Sequence, residues 1–176
     1  MEIRLLDIPE EGLAVELVEP VEKLDGLGEG IKALSEAKAR FSLKKVGATV
    51  FLEGEVEGNL EFICSRCGKP YPVAVKTGLQ LDLNPVDTLG KEEDHELGSD
   101  NLDVEFYSGD VIDLSGVLKE QLILQEPMKP LCGEGCRGLC QYCGQDLNES
   151  ECSCEAPTGH PGLTGLGDMF KDKEKK

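Results

Sequence analysis

The sequence predicts an α+β protein that is mainly β, with an antiparallel sheet curled towards a barrel, one main helix and a C-terminal cysteine-rich segment. Three observations predict it. Apolar and polar residues alternate through most of residues 37–83, a single helical stripe follows at 113–126, and six of the eight cysteines crowd into residues 132–154.

The N-terminal segments Glu2 to Ile8 and Leu13 to Glu19 are short and rich in Leu, Val and Ile, and the turn signal PEEG separates them. Both read as strands. The polar, glycine-rich run from Glu22 to Gly30 reads as a loop, and Ile31 to Ala37 as a short helix. From Ala37 the two-residue period is clear: Ala37, Ala39, Phe41 and Leu43 share one face, and Lys38, Arg40, Ser42 and Lys44 share the other. Gly47 interrupts it, and strands are expected over Ala48 to Glu55 and Val56 to Cys64. The chain then turns through SRCGKP and leaves as a strand with Val73, Val75, Leu79, Leu81 and Leu83 facing inwards. Residues 84–103 include KEEDHELGSD and read as an acidic loop, with His95 as a solvated side chain. Leu102 to Tyr107 is a further strand. Asp113 is positioned to cap a helix whose stripe is Leu114, Val117, Leu118 and Leu122, with Pro127 ending it. The expected organisation is a β-rich core over 1–126, a cysteine-rich segment over 127–156 packed on it, and a flexible basic tail over 157–176.

The cysteines are spaced C-x2-C at Cys64 and Cys67, then C-x3-C-x3-C-x2-C-x8-C-x-C through Cys132, Cys136, Cys140, Cys143, Cys152 and Cys154. Such gaps let sulfurs converge on one ion, since pairs two to four residues apart reach a tetrahedral zinc from one tight turn. In both C-x-x-C pairs glycine follows the second cysteine, and glycine accepts the positive φ of a tight knuckle. The start, MEIRLLDIPEEG, lacks the basic and apolar regions of a signal peptide, and no apolar run approaches the ~20 residues of a membrane helix. A cytoplasmic setting is therefore expected, with reduced thiols rather than disulfides. Eight thiolates suffice for one or two Zn²⁺ ions. One division joins Cys64 and Cys67 to Cys132 and Cys136, leaving Cys140, Cys143, Cys152 and Cys154 together. A second pairs the two knuckles, and a third places one zinc wholly in the C-terminal cluster. The first is preferred because it ties the sheet to the later segment. The one-residue gap between Cys152 and Cys154 suggests that one of them is a spectator.

Charge bounds the function. The formal net charge is −17, the opposite of a nucleic-acid binder's usual footprint. The sharpest local departure is residues 32–45, with five basic side chains against Glu36 alone. Lys38, Arg40, Lys44 and Lys45 are therefore candidate RNA contacts, extended by Arg66 and Lys69 beside the first knuckle. With aromatics at 5%, no base-stacking platform is expected. The acidic body suits a basic protein partner as well. A thiol-redox protein using the Cys64–Cys67 pair is the alternative, but that pair ends a strand, and no helix N-terminus lowers a thiol pKa there. An acidic metal-binding structural protein is the other. A catalytic zinc keeps an open position, usually with His or carboxylate ligands, so all-cysteine sets point away from an enzyme and from a small-molecule substrate.

Five motifs then fall in one order. They are C-x-R-C-G-x-P at Cys64, Arg66, Cys67, Gly68 and Pro70; the Asp-Leu start of the helix; P-M-K-P-L-C from Pro127 to Cys132; C-x-G-L-C-x-x-C-G-x-x-L-N from Cys136 to Asn148; and C-x-C. This combination resembles the YceD family, the large ribosomal RNA subunit accumulation proteins, over nearly the whole chain. The resemblance implies a role in making or accumulating 23S rRNA and the large ribosomal subunit. It implies as partners 23S rRNA or a large-subunit precursor, a small basic large-subunit ribosomal protein, or both, and no membrane. Other chains with this resemblance lack the C-terminal cluster, which implies a stabilising or modulating role for it.

Overall fold

The structure is a computed structural model, and it describes residues 1–86 and 104–154. The long alternating stretch forms three long strands. β1 is Glu2–Arg4, β2 Leu13–Glu19, β3 Ile31–Ala33, β4 Ala37–Val46, β5 Thr49–Ile63, β6 Pro70–Pro85, β7 Val104–Tyr107, β8 Val111–Asp113, and α1 Leu114–Ile123. Short 3-10 turns occupy Leu5–Asp7 and Val21–Lys23. The main sheet runs β2-β4-β5-β6-β7, with β3 also on β5, while β1 and β8 form a separate pair. Among the described residues the protein is mainly β with a single α-helix, as the patterning predicts. The described sheet is open, with β2 and β7 at its two ends, and does not curl closed into a barrel.

Three elements differ from the sequence reading. Ile31–Ala33 is a strand and not a helix, with Ile31 and Ala33 buried and Lys32 exposed between them. That alternation is too short to separate from a helical one on periodicity alone. The two strands expected after Gly47 are one continuous strand, β5, paired along its length with β6 from Val50↔Leu83 to Ile63↔Pro70. Finally, β7 runs parallel to β6, with Asp82↔Val104 through Pro85↔Tyr107. A parallel return needs a connection of roughly a dozen residues or more, and the acidic stretch supplies it. Most of that stretch, including His95, lies outside the described residues, as does the basic tail.

The inward face of the sheet meets α1. Leu114, Val117, Leu118 and Leu122 are buried, as the helical stripe requires, and the Asp113 carboxylate accepts a hydrogen bond from the Ser115 backbone N–H at 3.1 Å. They join Leu43, Val50, Leu52, Val56, Leu60 and Phe62 in one apolar cluster. Gly54 is required in β5. A Cβ there would stand 2.5 Å from the Arg40 carbonyl oxygen and 2.6 Å from the Phe41 ring.

By internal contacts the chain forms two compact units, Met1–Glu134 and Gly135–Lys176. The first holds the sheet, the helix and the apolar core. In the second, the buried hydrophobic and thiol side chains among the described residues are those of Cys136 and Cys140 alone.

One buried charge crosses the first unit. Glu19, 2% exposed, accepts a hydrogen bond from the Ser115 hydroxyl and lies 3.5 Å from the Lys23 ammonium and 3.8 Å from the Met1 amino group. The Ser115 hydrogen bond, outweighing desolvation and aided by Lys23, holds its carboxyl below the ordinary carboxylate value. A depressed folded-state pKa contributes stability above the unfolded value and loses it as pH falls through the folded one. Glu19→Gln is therefore expected to cost about 2 kcal/mol at neutral pH, the size of a charge-assisted hydrogen bond. The deficit should shrink once the pH drops below the carboxylate range, which urea melts at neutral and acid pH would read.

Candidate metal centre

Both C-x-x-C-G segments fold into the same turn. After β5, the Gly68 N–H donates to the Cys64 carbonyl at 2.8 Å, and the Cys64 N–H to the Lys69 carbonyl at 2.9 Å. In the second unit, the Gly144 N–H donates to the Cys140 carbonyl and the Cys140 N–H to the Gln145 carbonyl, each at 2.8 Å. Gly68 and Gly144 take φ of 70° and 74°, the left-handed region that a side chain would strain. Each turn aims backbone N–H groups at its first sulfur. For Cys140 these come from Cys143 and Tyr142, the latter at 3.4 Å, and they draw the thiol down to about 6. For Cys64 the N–H of Cys132 acts first and those of Cys67 and Arg66 add to it against desolvation, again giving about 6. Donors of this kind stabilise thiolate over thiol.

Within the first unit the sulfurs of Cys64, Cys67 and Cys132 lie within 4.8 Å of one another, and within the second so do those of Cys140, Cys143, Cys152 and Cys154. The Cys67 and Cys132 sulfurs are 3.8 Å apart. A tetrahedron with vertices ~2.3 Å from its centre has an edge of about 3.8 Å, so that spacing fits sulfur around zinc. Cys152 and Cys154 both join their group, unlike the spectator expected. They lie two residues apart on an irregular segment. The Cys143 sulfur accepts from the Cys154 thiol and, with desolvation, pushes it up to about 12. Four sulfurs this close do not all ionise without a cation among them.

Around the second turn, Asn148 does what the cysteine count does not reveal. Its side-chain oxygen accepts from the Arg137 N–H at 2.7 Å, and its amide NH₂ donates to Asp146 Oδ1 at 2.7 Å and faces the Cys136 sulfur at 3.6 Å. Asp146 Oδ1 also accepts the Asn148 backbone N–H at 2.8 Å. The signal was present in the L-N ending of the C-x-x-C-G-x-x-L-N motif, but sequence gave it no role.

The basic candidates divide. Lys38, Arg40 and Lys44 share the outward face of β4, whereas Lys45 falls on the opposite, inward side at the strand's end. Arg66 and Lys69 sit in the first turn, at the far end of the β5–β6 hairpin from Lys44. On the outward face, charges interleave. Lys38 pairs with Glu36 at 3.1 Å and Arg40 with Glu16 at 3.7 Å, while Lys76 reaches both Glu55 and Glu57. The Lys76 hydrogen bond is the main reason the Glu57 carboxyl sits below its ordinary value, with Arg40 and Lys38 adding to it. Opposite Lys44 the register places Phe51, not a carboxylate.

Fold and site together define an open-sheet protein carrying two cysteine groups, each built on a C-x-x-C-G turn and each able to contribute to a metal site. The chain belongs to the YceD family, described as large ribosomal RNA subunit accumulation protein YceD, which matches residues 52–170. Among curated proteins it is similar to the chloroplastic large ribosomal RNA subunit accumulation protein YCED homolog 1 of Zea mays. The two are 29% identical over 143 residues, covering 68% of this chain and 48% of the relative. The Arabidopsis thaliana protein of the same name is 25% identical over 146 residues, covering 71% of this chain and 46% of the relative. The chain thus spans about half the length of the curated relatives it matches. No solved structure matches it. Among the described residues, no helix is long and apolar enough to cross a membrane.

Proposed function

We propose that this protein is a non-catalytic, zinc-stabilised factor in large ribosomal subunit biogenesis that supports accumulation of 23S rRNA in the cytoplasm. The pathway rests on the family and its named relatives. The observation that carries the molecular reading is the pair of all-sulfur groups. Cys64, Cys67, Cys132 and Cys136 would hold one zinc, and Cys140, Cys143, Cys152 and Cys154 a second. A zinc bound by four thiolates has no open position, and it supplies folding energy rather than a Lewis acid. The same closure argues against the thiol-redox alternative, since Cys64 and Cys67 are both buried.

The partner is 23S rRNA or a large-subunit precursor. A second reading, in which the acidic body receives a small basic large-subunit ribosomal protein, is favoured by the net charge of −17 and by the carboxylates already paired with Lys38 and Arg40. Purification of the tagged chain at moderate salt, with and without RNase, separates them. Co-purifying large-subunit rRNA, with ribosomal proteins lost on RNase treatment, is the expected outcome. A single basic ribosomal protein surviving RNase would select the second reading, and recovery of neither would overturn both.

A further inference from the structure

Four phenylalanines are described, and they divide sharply. Phe41 and Phe62 are buried in the core. Phe51 and Phe106 are 40% and 42% exposed. The pairing register puts these two on the same face and at the same end of the sheet. Phe51 on β5 lies across from Lys44 on one side and Asp82 on the other. Asn84, two residues beyond Asp82 and so on the same face, lies across from Phe106 on β7. Thr49 Oγ1 donates to Asn84 Oδ1 at 2.7 Å, fixing the amide between the two rings. Val46, 56% exposed, completes the patch at the end of β4.

Around Lys38, Arg40 and Lys76 the outward face pairs cations with carboxylates. At this end it is aromatic, and Lys44 makes no ion pair among the described residues. Exposed rings on a sheet surface, with a cation beside them and a polar amide between, are what splayed bases stack on and a phosphate approaches. The overall negative charge works against such a contact, which selects for a local, stacking-led one. Low aromatic content does not exclude a platform when two of the rings are placed together.

We propose that this end of the outward sheet face binds single-stranded RNA, with Phe51 and Phe106 each under a base and Lys44 on a phosphate. The inference rests on the reading that the chain acts on rRNA, and it moves the contact away from Lys38, Arg40, Arg66 and Lys69. Asp82, directly beside Phe51, is the carboxylate that limits affinity.

The chain has no tryptophan, so Phe51→Trp creates a single reporter at the platform. In the zinc-loaded full chain, its fluorescence should be quenched by a short mixed-sequence single-stranded RNA and not by the same sequence as a duplex. In the otherwise native chain, Phe51→Ala and Phe106→Ala should each weaken binding roughly 5- to 150-fold. Lys44→Gln should lower the slope of log affinity against log salt by about 0.7. Asp82→Asn should tighten binding. Both rings are exposed, so an unchanged thermal midpoint verifies that the alanine variants fold. No quenching at low salt, an equal response to duplex, or a response only to a lysine-rich peptide would overturn the proposal. Cells lacking their own copy distinguish the two levels. If the Phe51→Ala/Phe106→Ala chain restores 23S rRNA fully, the surface is not the working contact and the broader reading stands. If those cells have no 23S rRNA deficit to restore, the broader reading itself fails.

Discussion

Stripping metal from the chain under reducing conditions is expected to abolish amide protection across residues 135–154 while β4, β5 and β6 keep theirs. Among the described residues, the second unit has no apolar core to fall back on. Cys136 and Cys140 are its only buried hydrophobic or thiol side chains among the described residues, and Leu139 and Tyr142 are 46% and 50% exposed. The hydrogen bonds there are short-range, running through the Cys140–Gln145 turn and the Asn148–Asp146 pair. They close loops but bury little surface, so they do little against the chain entropy of ordering this segment. A structural zinc supplies the folding free energy that the segment's own side chains lack. Cys140→Ser should reproduce the loss locally, because it removes the sulfur that the turn's N–H groups are built to hold as thiolate. Hydrogen exchange read peptide by peptide gives the result, and protection over 135–154 that survives the chelator would refute the expectation.

The other large effect belongs to the first unit. Leu118→Ala should cost about 2–5 kcal/mol, read as a lowered urea midpoint with little change in slope. Leu118 is fully buried on α1, beside Leu114 and Leu122 and against the inward residues of β5. Truncation leaves a cavity that the sheet cannot fill. The β5–β6 pairing is fixed over fourteen register pairs, from Val50↔Leu83 to Ile63↔Pro70, and Gly54 already lies under the Phe41 ring with no slack. A domain of this size carries a total stability of about 5–15 kcal/mol, so the variant spends a large fraction of it. A loss below 1 kcal/mol would mean that α1 is not part of the core.

The parts of this fold that sequence reveals are those where one physical signal dominates. Over Ala37–Val46 the alternation of buried and exposed residues is unbroken, and the strand falls where the pattern places it. Over Leu114–Ile123 the apolar stripe and the Asp113 cap agree, and the helix stops three residues short of the expected Glu126 because the last amides turn back to Leu122 and Ile123 before Pro127. Where signals are short or non-local, the sequence is silent. Ile31–Ala33 has too few residues to distinguish a strand from a helix, and Val111–Asp113 goes unseen because its partner, Glu2–Arg4, is over a hundred residues away. The parallel placement of β7 depends on a register that no local pattern encodes.

The site shows the same division. Spacing identifies the cysteines, and the glycine after each pair identifies both turns. It does not say which pair meets which, because that depends on where β5 ends and where the chain passes Pro130, whose carbonyl accepts the Ser65 N–H at 2.8 Å. Nor does it reveal that Asn148 bridges the Arg137 N–H, Asp146 and the Cys136 sulfur, or that the basic run at 32–45 is divided. Lys38 and Arg40 are answered by Glu36 and Glu16, while Lys44 stands beside Phe51. Charge counted along the chain misses neutralisation across the sheet.

The central claim is that each four-sulfur group is a zinc site. Native mass spectrometry of the chain, purified under reducing conditions without added metal, tests it most directly. The predicted result is a mass corresponding to two zinc ions per chain, falling to one in Cys140→Ser. A chain that folds with no metal, or that carries disulfides in place of the ions, would contradict it.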